Sequence, residues 1–356
     1  MKLPRLSSGY GDIESADKSR CVINGKFQNK HIFERGIDLL LDPRLPHALP
    51  YTLWRLARYN LPANLPSPVE TLHVCLTFDI EHDYHNPESA GSAQRFLERY
   101  VQWADSRGWR STLYVQGSLV PELAELIRNA AQSHQIGLHG LYHEVWGRSR
   151  WWQYSQRLVG LSRTEKRERL QLALETFDMA GVERPRTFRA PYLNADRETL
   201  ALLAQHGFTS DSSPAAYLGA LPVPRQIDGI WQLPVTANPH PRRDGVTFRY
   251  PELSLGNMLR MGSKDILATT SMAVHLQQEA GLCLPPHLVI LAHPWEFEAT
   301  SGVGHASADN WGRLEQILMG IAESYPVKFI PITELITRNR MGPANENIGS
   351  IRTLTN

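Results

Sequence analysis

From residue 72 onward, the chain alternates short apolar runs with segments whose apolar residues recur at helical spacing. LHVCLTFDI (72–80), STLYVQG (111–117) and HLVILAHPWEF (287–297) are short apolar runs, which are typical of buried strands. AQRFLERYVQWADSRG (93–108) and NWGRLEQILMGIAESY (310–325) have the periodicity of amphipathic helices. Strands that alternate with helices of this length predict a mostly parallel sheet with helices packed against it.

Weaker segments continue the same alternation. Further strands are predicted at 136–140, 187–193, 208–213, 230–235 and 327–332, and further helices at 121–134, 162–180 and 197–206. About seven strand–helix units predict an α/β fold, a distorted or incomplete (β/α) barrel with mostly parallel strands. In this interpretation residues 1–70 are an N-terminal extension, 71–337 the barrel domain, 236–283 an insertion with one or two helices, and 338–356 a tail.

Composition excludes some classes of protein and partner. The 356 residues include 37 lysines and arginines against 36 acidic residues, so no basic surplus indicates a nucleic-acid partner. Cys21, Cys75 and Cys283 are too few and too scattered for a disulfide framework or a cysteine-rich zinc site, which favours a reducing compartment.

The first twenty residues have several charges and a proline but lack the apolar core of a secretory signal, so we expect a cytoplasmic location. No stretch approaches the roughly 18 apolar residues that a transmembrane helix requires. Residues 36–62 mix Leu, Trp and Tyr with Arg, a pattern that fits peripheral contact with a membrane surface. The alternative is a proline-broken strap packed on the domain.

Chemically capable side chains cluster where the predicted strands end. Because the carboxyl ends of parallel strands meet on one face of a barrel, these residues are expected to converge on one rim. They are Asp79, Glu81, His139, His143, Arg189, Asp211 and His293. Convergence of this kind predicts an active site.

The spacing of two histidines and two carboxylates predicts a metal site at this rim. His139 and His143 are four residues apart, and such a pair can bind one metal ion. Asp79 and Glu81 point to the same side of an extended strand, so one carboxylate can complete the site while the other acts as a general base. The alternatives are an unrelated histidine pair and a solvated acidic loop after a strand.

Five short motifs, in this order, resemble those of the polysaccharide deacetylase family, which includes chitin, chitooligosaccharide and peptidoglycan deacetylases. The resemblance covers roughly residues 72–335. The motifs are Thr77-Phe78-Asp79, His139-x-x-x-His143, Arg189-Ala190-Pro191-Tyr192, Asp211-Ser212-Ser213 and Leu291-Ala292-His293.

The resemblance implies a role for each matching residue. Asp79 matches the catalytic base, while His139 and His143 match ligands of a divalent metal ion, with zinc expected and cobalt or nickel as alternatives. Arg189 matches the residue that holds the base in its charged form, and Asp211 the residue that supports this arginine.

The remaining motif residues match groups that handle the substrate. The resemblance implies that the backbone amide of Tyr192 stabilises the oxyanion and that Leu291 lines a pocket for the acyl methyl group. His293 matches the general acid that protonates the departing amine.

Two positions depart from the usual family pattern. The second of two adjacent aspartates, normally a metal ligand, is replaced by Ile80, so we favour Glu81 as the third ligand. Asp83 is an alternative, as is Asp79 with a different group serving as base. The last motif continues as His293-Pro294-Trp295-Glu296, in which Trp295 is a candidate for stacking on a sugar or a packed rim aromatic.

Together these features predict a metal-dependent carbohydrate deacetylase. We expect it to hydrolyse an N-acyl group, normally N-acetyl, from a nucleotide- or lipid-linked amino sugar on the way to a surface glycan. The alternatives are an amidohydrolase of small non-sugar amides and a catalytically inactive family member that only binds glycan.

Overall fold

A computed structural model describes nine stretches of the chain. They are residues 69–83, 91–147, 160–214, 223–237, 242–244, 247–249, 252–279, 284–299 and 303–339. The predicted N-terminal extension up to residue 68, the segment 36–62, Cys21, Cys283 and the tail from 340 onward lie outside the described residues. Cys75 is buried in the core.

Most strands of the described chain belong to one sheet. The strands are β1 (Leu72–Ile80), β2 (Ser111–Val115), β3 (Gln135–Leu138), β4 (Thr187–Phe188), β5 (Ser210–Asp211), β6 (Arg225–Ile227), β7 (Ile230–Gln232), β8 (Arg242–Asp244), β9 (Thr247–Arg249), β10 (His287–Ala292) and β11 (Val327–Phe329). The large sheet has the order β10-β1-β2-β3-β4-β5-β7-β6, and β11 also pairs with β1. Its pairs are parallel except for the β6–β7 hairpin, while β8 and β9 form a separate antiparallel pair.

Helices fill most of the connections between these strands. They are α1 (Ser92–Asp105), α2 (Ala124–Ala130), α3 (Arg163–Met179), α4 (Arg197–Gln205), α5 (Leu255–Met258), α6 (Ser263–Glu279), α7 (Asn310–Ser324) and α8 (Ile332–Asn339). None of the described helices is both long and apolar enough to span a bilayer.

Strand β1 lies in the interior of the sheet, where all nine of its residues are buried. Residues 73–78 pair with β10, while the opposite pairings use 76–80 with β2 and 72–74 with β11. The hydroxyl of Thr77 donates to the carbonyl of Ile290 at 2.6 Å, which adds a side-chain bond to the β1–β10 ladder. A strand paired on both edges and buried is expected to be largely apolar, as β1 is apart from His73, Thr77 and Asp79.

Irregular backbone joins the far side of the sheet to β10. The Thr236 N–H donates to the Val289 carbonyl at 3.0 Å, and the Leu291 N–H donates to the Leu253 carbonyl at 3.0 Å. Leu253 in turn donates to the Thr236 carbonyl at 2.7 Å. The mixed α/β sheet of mostly parallel strands, curved into a distorted half-barrel, confirms the predicted fold class.

Some element boundaries differ from the sequence prediction. The segment 187–193 forms a strand only at 187–188 and then a short 3₁₀ turn, Pro191–Leu193. The predicted strand 287–297 ends at Ala292 because Pro294 opens another 3₁₀ turn, Pro294–Phe297. The last apolar run ends as a strand at Phe329, and an unpredicted helix, α8, follows Pro331.

The interior of the barrel is too close-packed at Gly137 for a larger residue. A Cβ on this residue would lie 2.5 Å from the ring of Tyr114 and 2.8 Å from the Thr187 methyl group. Gly137→Ala is therefore expected to lower the free energy of unfolding by about 1–3 kcal/mol, measured by urea denaturation.

The matched control is Gly320→Ala, which lies inside α7 with open space around its Cβ position. This change is expected to raise the free energy of unfolding by up to about 1 kcal/mol, since alanine is the better helix former. Equal effects of the two substitutions would contradict the packing argument.

Candidate active site

The residues predicted to converge do lie on one rim of the sheet. Asp79 is in β1, and Glu81 follows the end of this strand. His139 follows β3, Arg189 follows β4 and His293 follows β10. Parallel pairing places these strand ends side by side, which brings the predicted residues together at one edge of the sheet.

Glu81, His139 and His143 form the group that can hold a metal ion within the described part of the chain. Their ligand atoms all lie within 4.8 Å of one another. Glu81 Oε2 is 3.0 Å from Nε2 of His139 and 2.8 Å from Nε2 of His143. These are the three residues that the sequence favours as ligands.

The hydrogen bonding of His139 leaves its Nε2 atom available as a metal ligand. Its Nδ1–H donates to the Arg189 carbonyl at 2.9 Å, because a carbonyl oxygen can only accept. In the neutral ring, Nε2 then has a lone pair that faces the carboxylate oxygen of Glu81. Two such atoms repel each other unless a proton or a cation lies beside them, and a backbone carbonyl on the second nitrogen is usual for zinc-bound histidine.

Charge balance at the rim keeps Glu81 ionised. Burial alone would raise the pKa of Glu81, but the imidazoles of His143 and His139 outweigh this and hold it well below its ordinary value. The indole N–H of Trp295 makes a long hydrogen bond of 3.5 Å to Glu81 Oε1. The carboxylate thus turns Oε2 toward the histidines and Oε1 toward Trp295.

The turn that presents His143 is held by a nearby carboxylate. Glu144 accepts hydrogen bonds from the backbone N–H of Leu141 at 3.1 Å and of Tyr142 at 2.5 Å. His143 itself has a left-handed backbone with φ of 63°, uncommon for a residue other than glycine. A left-handed backbone costs conformational energy in a residue with a side chain, so it persists only where the surrounding structure holds it in place. Such residues are frequent at functional sites.

Asp79 is paired with a fully buried arginine. Its Oδ1 accepts from Nη1 of Arg189 at 2.8 Å, while its Oδ2 lies 3.8 Å from His139 Nε2 and 4.0 Å from His293 Nε2. Asp79 thus lies between a metal-site histidine and the second candidate acid–base residue. One oxygen is used by the ion pair and the other faces the rim.

Arg189 is fixed on several sides. Its Nη2 donates to the Ser212 hydroxyl at 2.9 Å and its Nε to the Ser212 carbonyl at 3.3 Å. Its guanidinium lies 4.4 Å from the ring centre of Tyr114, a cation–π distance. These contacts orient the cation toward Asp79.

The hydrogen bonds of Asp211 do not reach the arginine directly. Asp211 accepts from the hydroxyl and backbone N–H of Ser213 and from the side chain of Gln232 at 3.0 Å. The Ser213 hydroxyl in turn accepts from the Ala190 N–H at 2.8 Å. Any support of Arg189 by Asp211 therefore passes through Ser213 and the peptide after the arginine. Burial raises the pKa of Asp211.

Of the two groups predicted to handle the acyl part of the substrate, Tyr192 lies beside His143 and Leu291 lies in an apolar cluster. Tyr192 has a left-handed backbone with φ of 59°, and its ring centre lies 4.6 Å from that of His143. Leu291 packs with Leu193 and Val235 in a small apolar cluster of its own. Such a cluster suits an acyl methyl group, so the assignment of Leu291 stays a prediction with a fitting environment.

His293 contacts Glu296, to which the sequence analysis assigned no role. Its Nδ1 lies 3.2 Å from Glu296 Oε2, and its ring stacks on Trp295 with centres 4.6 Å apart. Burial would lower the pKa of His293, but Glu296, then Glu81 and Asp79, outweigh it and raise the value to about 9. Pro294 followed by Glu296 is a helix-capping pattern, from which the hydrogen bond between the His293 backbone N–H and Glu296 can be predicted. The contact between Glu296 and the His293 ring cannot be predicted from this pattern.

Comparison with curated protein sequences gave no match. Among solved structures, a polysaccharide deacetylase homologue of Mycobacterium smegmatis aligns with 19% identity and a TM-score of 0.49, over 78% of this chain and 94% of its own. A family 4 carbohydrate esterase (CE4) pseudoenzyme of Bacillus anthracis aligns with 14% identity and a TM-score of 0.43, over 75% of this chain and 66% of its own.

A third structure is a family 4 carbohydrate esterase from Streptomyces lividans in complex with acetate, with 16% identity and a TM-score of 0.39. The alignment covers 72% of this chain and 90% of the esterase. The sequence model of the family named polysaccharide deacetylase matches residues 67–210, which include Asp79, Glu81, both histidines and Arg189. The predicted resemblance to this family is thereby confirmed over residues 67–210, a stretch that contains the first three of the five motifs.

Proposed function

We propose that this chain is a metal-dependent deacetylase that hydrolyses the N-acetyl group of an amino sugar. The observation that carries the proposal is the rim itself. It combines a His-His-carboxylate group, the Asp79–Arg189 ion pair and His293, whose Nε2 lies 4.0 Å from Asp79. A metal group, a base and an acid within reach of one another are what amide hydrolysis requires.

Glu81, His139 and His143 would hold the ion, and zinc is the metal that this ligand set fits best. Bound there, a divalent ion would supply polarisation of the amide carbonyl and acidification of the attacking water. Asp79 is placed to accept the proton of this water on Oδ2, since Arg189 holds Oδ1 at 2.8 Å.

Other residues of the rim are proposed to stabilise the oxyanion, contact the acyl group and protonate the leaving amine. The backbone N–H of Tyr192 is proposed to donate to the developing oxyanion, a contribution typically worth about 3–4 kcal/mol per donor. Leu291, in its apolar cluster, is proposed to contact the acyl methyl group. His293 is proposed to donate its Nε2 proton to the departing nitrogen as the C–N bond breaks. The role of Trp295 as a sugar-stacking residue remains a prediction, since one face of its ring is covered by His293.

For the substrate we propose a nucleotide- or lipid-linked amino sugar and, for the protein, a cytoplasmic location. The mixture of Leu, Trp and Tyr with Arg in residues 36–62 supports the lipid-linked form, because it suits contact with a membrane surface. Comparing turnover of a polyprenyl-diphosphate-linked, a nucleotide-linked and a free N-acetylated sugar distinguishes these classes. Fractionation of cells tests the location.

The activity itself is tested with the purified full-length chain loaded with zinc. We expect it to release acetate and one free amine per acetate from N-acetylglucosamine substrates. Activity should be lost on chelation and return when zinc is restored. A folded, zinc-loaded chain that releases no acetate from any of the three substrate classes would contradict the proposal. Sugar binding by calorimetry without turnover would then support the glycan-binding alternative.

A further inference from the structure

Glu296 is a buried carboxylate that joins two histidines. The residue is only 2% exposed and accepts from both sides. Its Oε2 accepts from the backbone N–H of His293 at 2.8 Å and faces the Nδ1 of the same residue at 3.2 Å. Its Oε1 accepts from the Gly256 N–H at 3.0 Å and faces His305 Nε2 at 2.7 Å.

This arrangement decides which nitrogen of His293 faces the reacting groups. A carboxylate at Nδ1 requires a proton on that nitrogen, so Nδ1–H donates to Glu296 and Nε2 turns toward Asp79 Oδ2, 4.0 Å away. Stacking on Trp295 at an interplanar angle of 17° restricts the ring from its face. The imidazole is therefore held at one edge and on one face.

The second histidine is placed by elements remote from the rim. Asn310, at the start of α7, donates to the carbonyls of Glu296 at 2.7 Å and of His305 at 2.9 Å. Gly256, in α5, leaves room for the His305 ring, since a Cβ there would lie 2.7 Å from His305 Nε2. The loop before α7 and the insertion thus both contact the carboxylate that holds His293.

We propose that Glu296 is a positioning residue that fixes the tautomer and direction of His293, and that His305 in turn fixes Glu296. This inference rests on the proposed function, in which His293 is the general acid. As the C–N bond breaks, its electron pair goes to nitrogen and takes the Nε2 proton of His293. Nδ1 keeps its proton and Glu296 stays ionised throughout.

The charges around His293 agree with this assignment. Burial would raise the pKa of Glu296, but hydrogen bonds from His293 and His305 outweigh it and lower the value to about 2. The acidic groups that face His293 are Glu296, Glu81 and Asp79, of which Glu296 makes the hydrogen bond to the ring, and their charges raise the pKa of His293 to about 9 against the effect of burial. Removing the charge of Glu296 therefore shifts the pKa of His293 downward.

Glu296→Gln is expected to lower kcat on an N-acetylated amino sugar about 100-fold, at the lower end of what general acid catalysis contributes. Hydrolysis of an activated aryl acetate ester should be largely spared, because a phenolate leaves without a proton. The alkaline limb of the rate profile should move to lower pH, since a less basic His293 loses its proton earlier. Glu323→Gln, an exposed change in α7, is the matched control.

Two substitutions of His305 distinguish a positioning hydrogen bond to Glu296 from a contribution to folding alone. His305→Ala is expected to lower kcat about tenfold, the effect of one lost hydrogen bond to a charged group. His305→Gln keeps a donor for Glu296 and should restore most of the activity. His206→Gln, at an exposed histidine after α4, is the control. Equal losses on amide and ester substrates would indicate a folding defect and count against positioning.

The deciding measurement is the nitrogen NMR spectrum of the full-length, zinc-loaded chain labelled at histidine. The His293 signals, identified by their loss in His293→Gln, are expected to show a proton on Nδ1 and a raised pKa in the wild type. Both should change in Glu296→Gln. An unchanged tautomer and pKa would overturn the inference even if the enzyme is active. A wild type without activity but with the expected spectrum would overturn only the proposed function.

Discussion

Glu81→Gln is expected to abolish metal binding and to lower deacetylase activity by at least about a thousandfold, because the ion supplies several kcal/mol of transition-state stabilisation. Glu81 Oε2 lies within 3.0 Å of both histidine nitrogens, so its loss removes the only negative charge of the three-residue group. The amide oxygen of glutamine is uncharged and binds zinc weakly. Metal content by plasma emission spectroscopy should fall from about one ion per chain to none.

Asp83→Asn is the informative comparison, since Asp83 is the alternative third ligand suggested by the sequence. It is expected to retain the metal, because the group within ligand distance comprises Glu81, His139 and His143 among the described residues. Metal loss in Asp83→Asn with retention in Glu81→Gln would reverse the assignment. A wild-type chain that takes up no zinc, cobalt or nickel would remove the metal site altogether and favour the glycan-binding alternative.

Asp79→Asn is expected to lower kcat about 1,000-fold while leaving the metal in place, since general base catalysis typically contributes this much. Asparagine has nearly the same shape and can still accept from Arg189, but it cannot take a proton from water. The buried guanidinium loses its counter-ion, so the free energy of unfolding should fall, by up to about 3 kcal/mol. Near-ultraviolet circular dichroism at the assay temperature confirms that the variant is folded.

The control is Asp178→Asn, which removes an exposed carboxylate paired with Arg184 and should change neither kcat nor metal content. Loss of metal from folded Asp79→Asn would identify Asp79 as a ligand and require a different base. Normal activity with normal metal content would show that proton removal does not depend on Asp79. Both results contradict the assignment of the base.

The sequence was a good guide to the elements whose hydrophobic pattern is complete. Strand β1 is buried at every residue, and α1 and α7 each bury one stripe, so their periodicity alone predicts them. The rim residues followed from the same pattern, because parallel strands bring their ends together regardless of the loops between them. The two-residue strands β4 and β5 are too short for periodicity to show where they end.

What the sequence could not show depends on contacts between distant segments. Glu296 lies in the 3₁₀ turn Pro294–Phe297 and His305 in the loop before α7, and the packing of α5 and α7 brings the two side chains together. The resemblance implied that Asp211 supports Arg189, but it could not show that the hydrogen bonds of Asp211 go to Ser213 and Gln232, because these depend on side-chain direction within the folded barrel. The apolar run 327–332 predicts a strand, yet Pro331 cannot donate to a ladder and a helix follows it.

The pairing of β1 with β10 has a consequence for how the chain folds. Thr77 and Ile290, joined by a hydrogen bond, are 213 positions apart in the chain. Contacts of such long range close large loops and form slowly. During synthesis, β1 reaches its full set of neighbours only after β10 and β11 have left the ribosome. Since His293 and Glu296 follow β10 directly, the late pairing of β10 with β1 also brings this last part of the site to the rim. Catalytic competence should therefore arise in a single concluding step of folding.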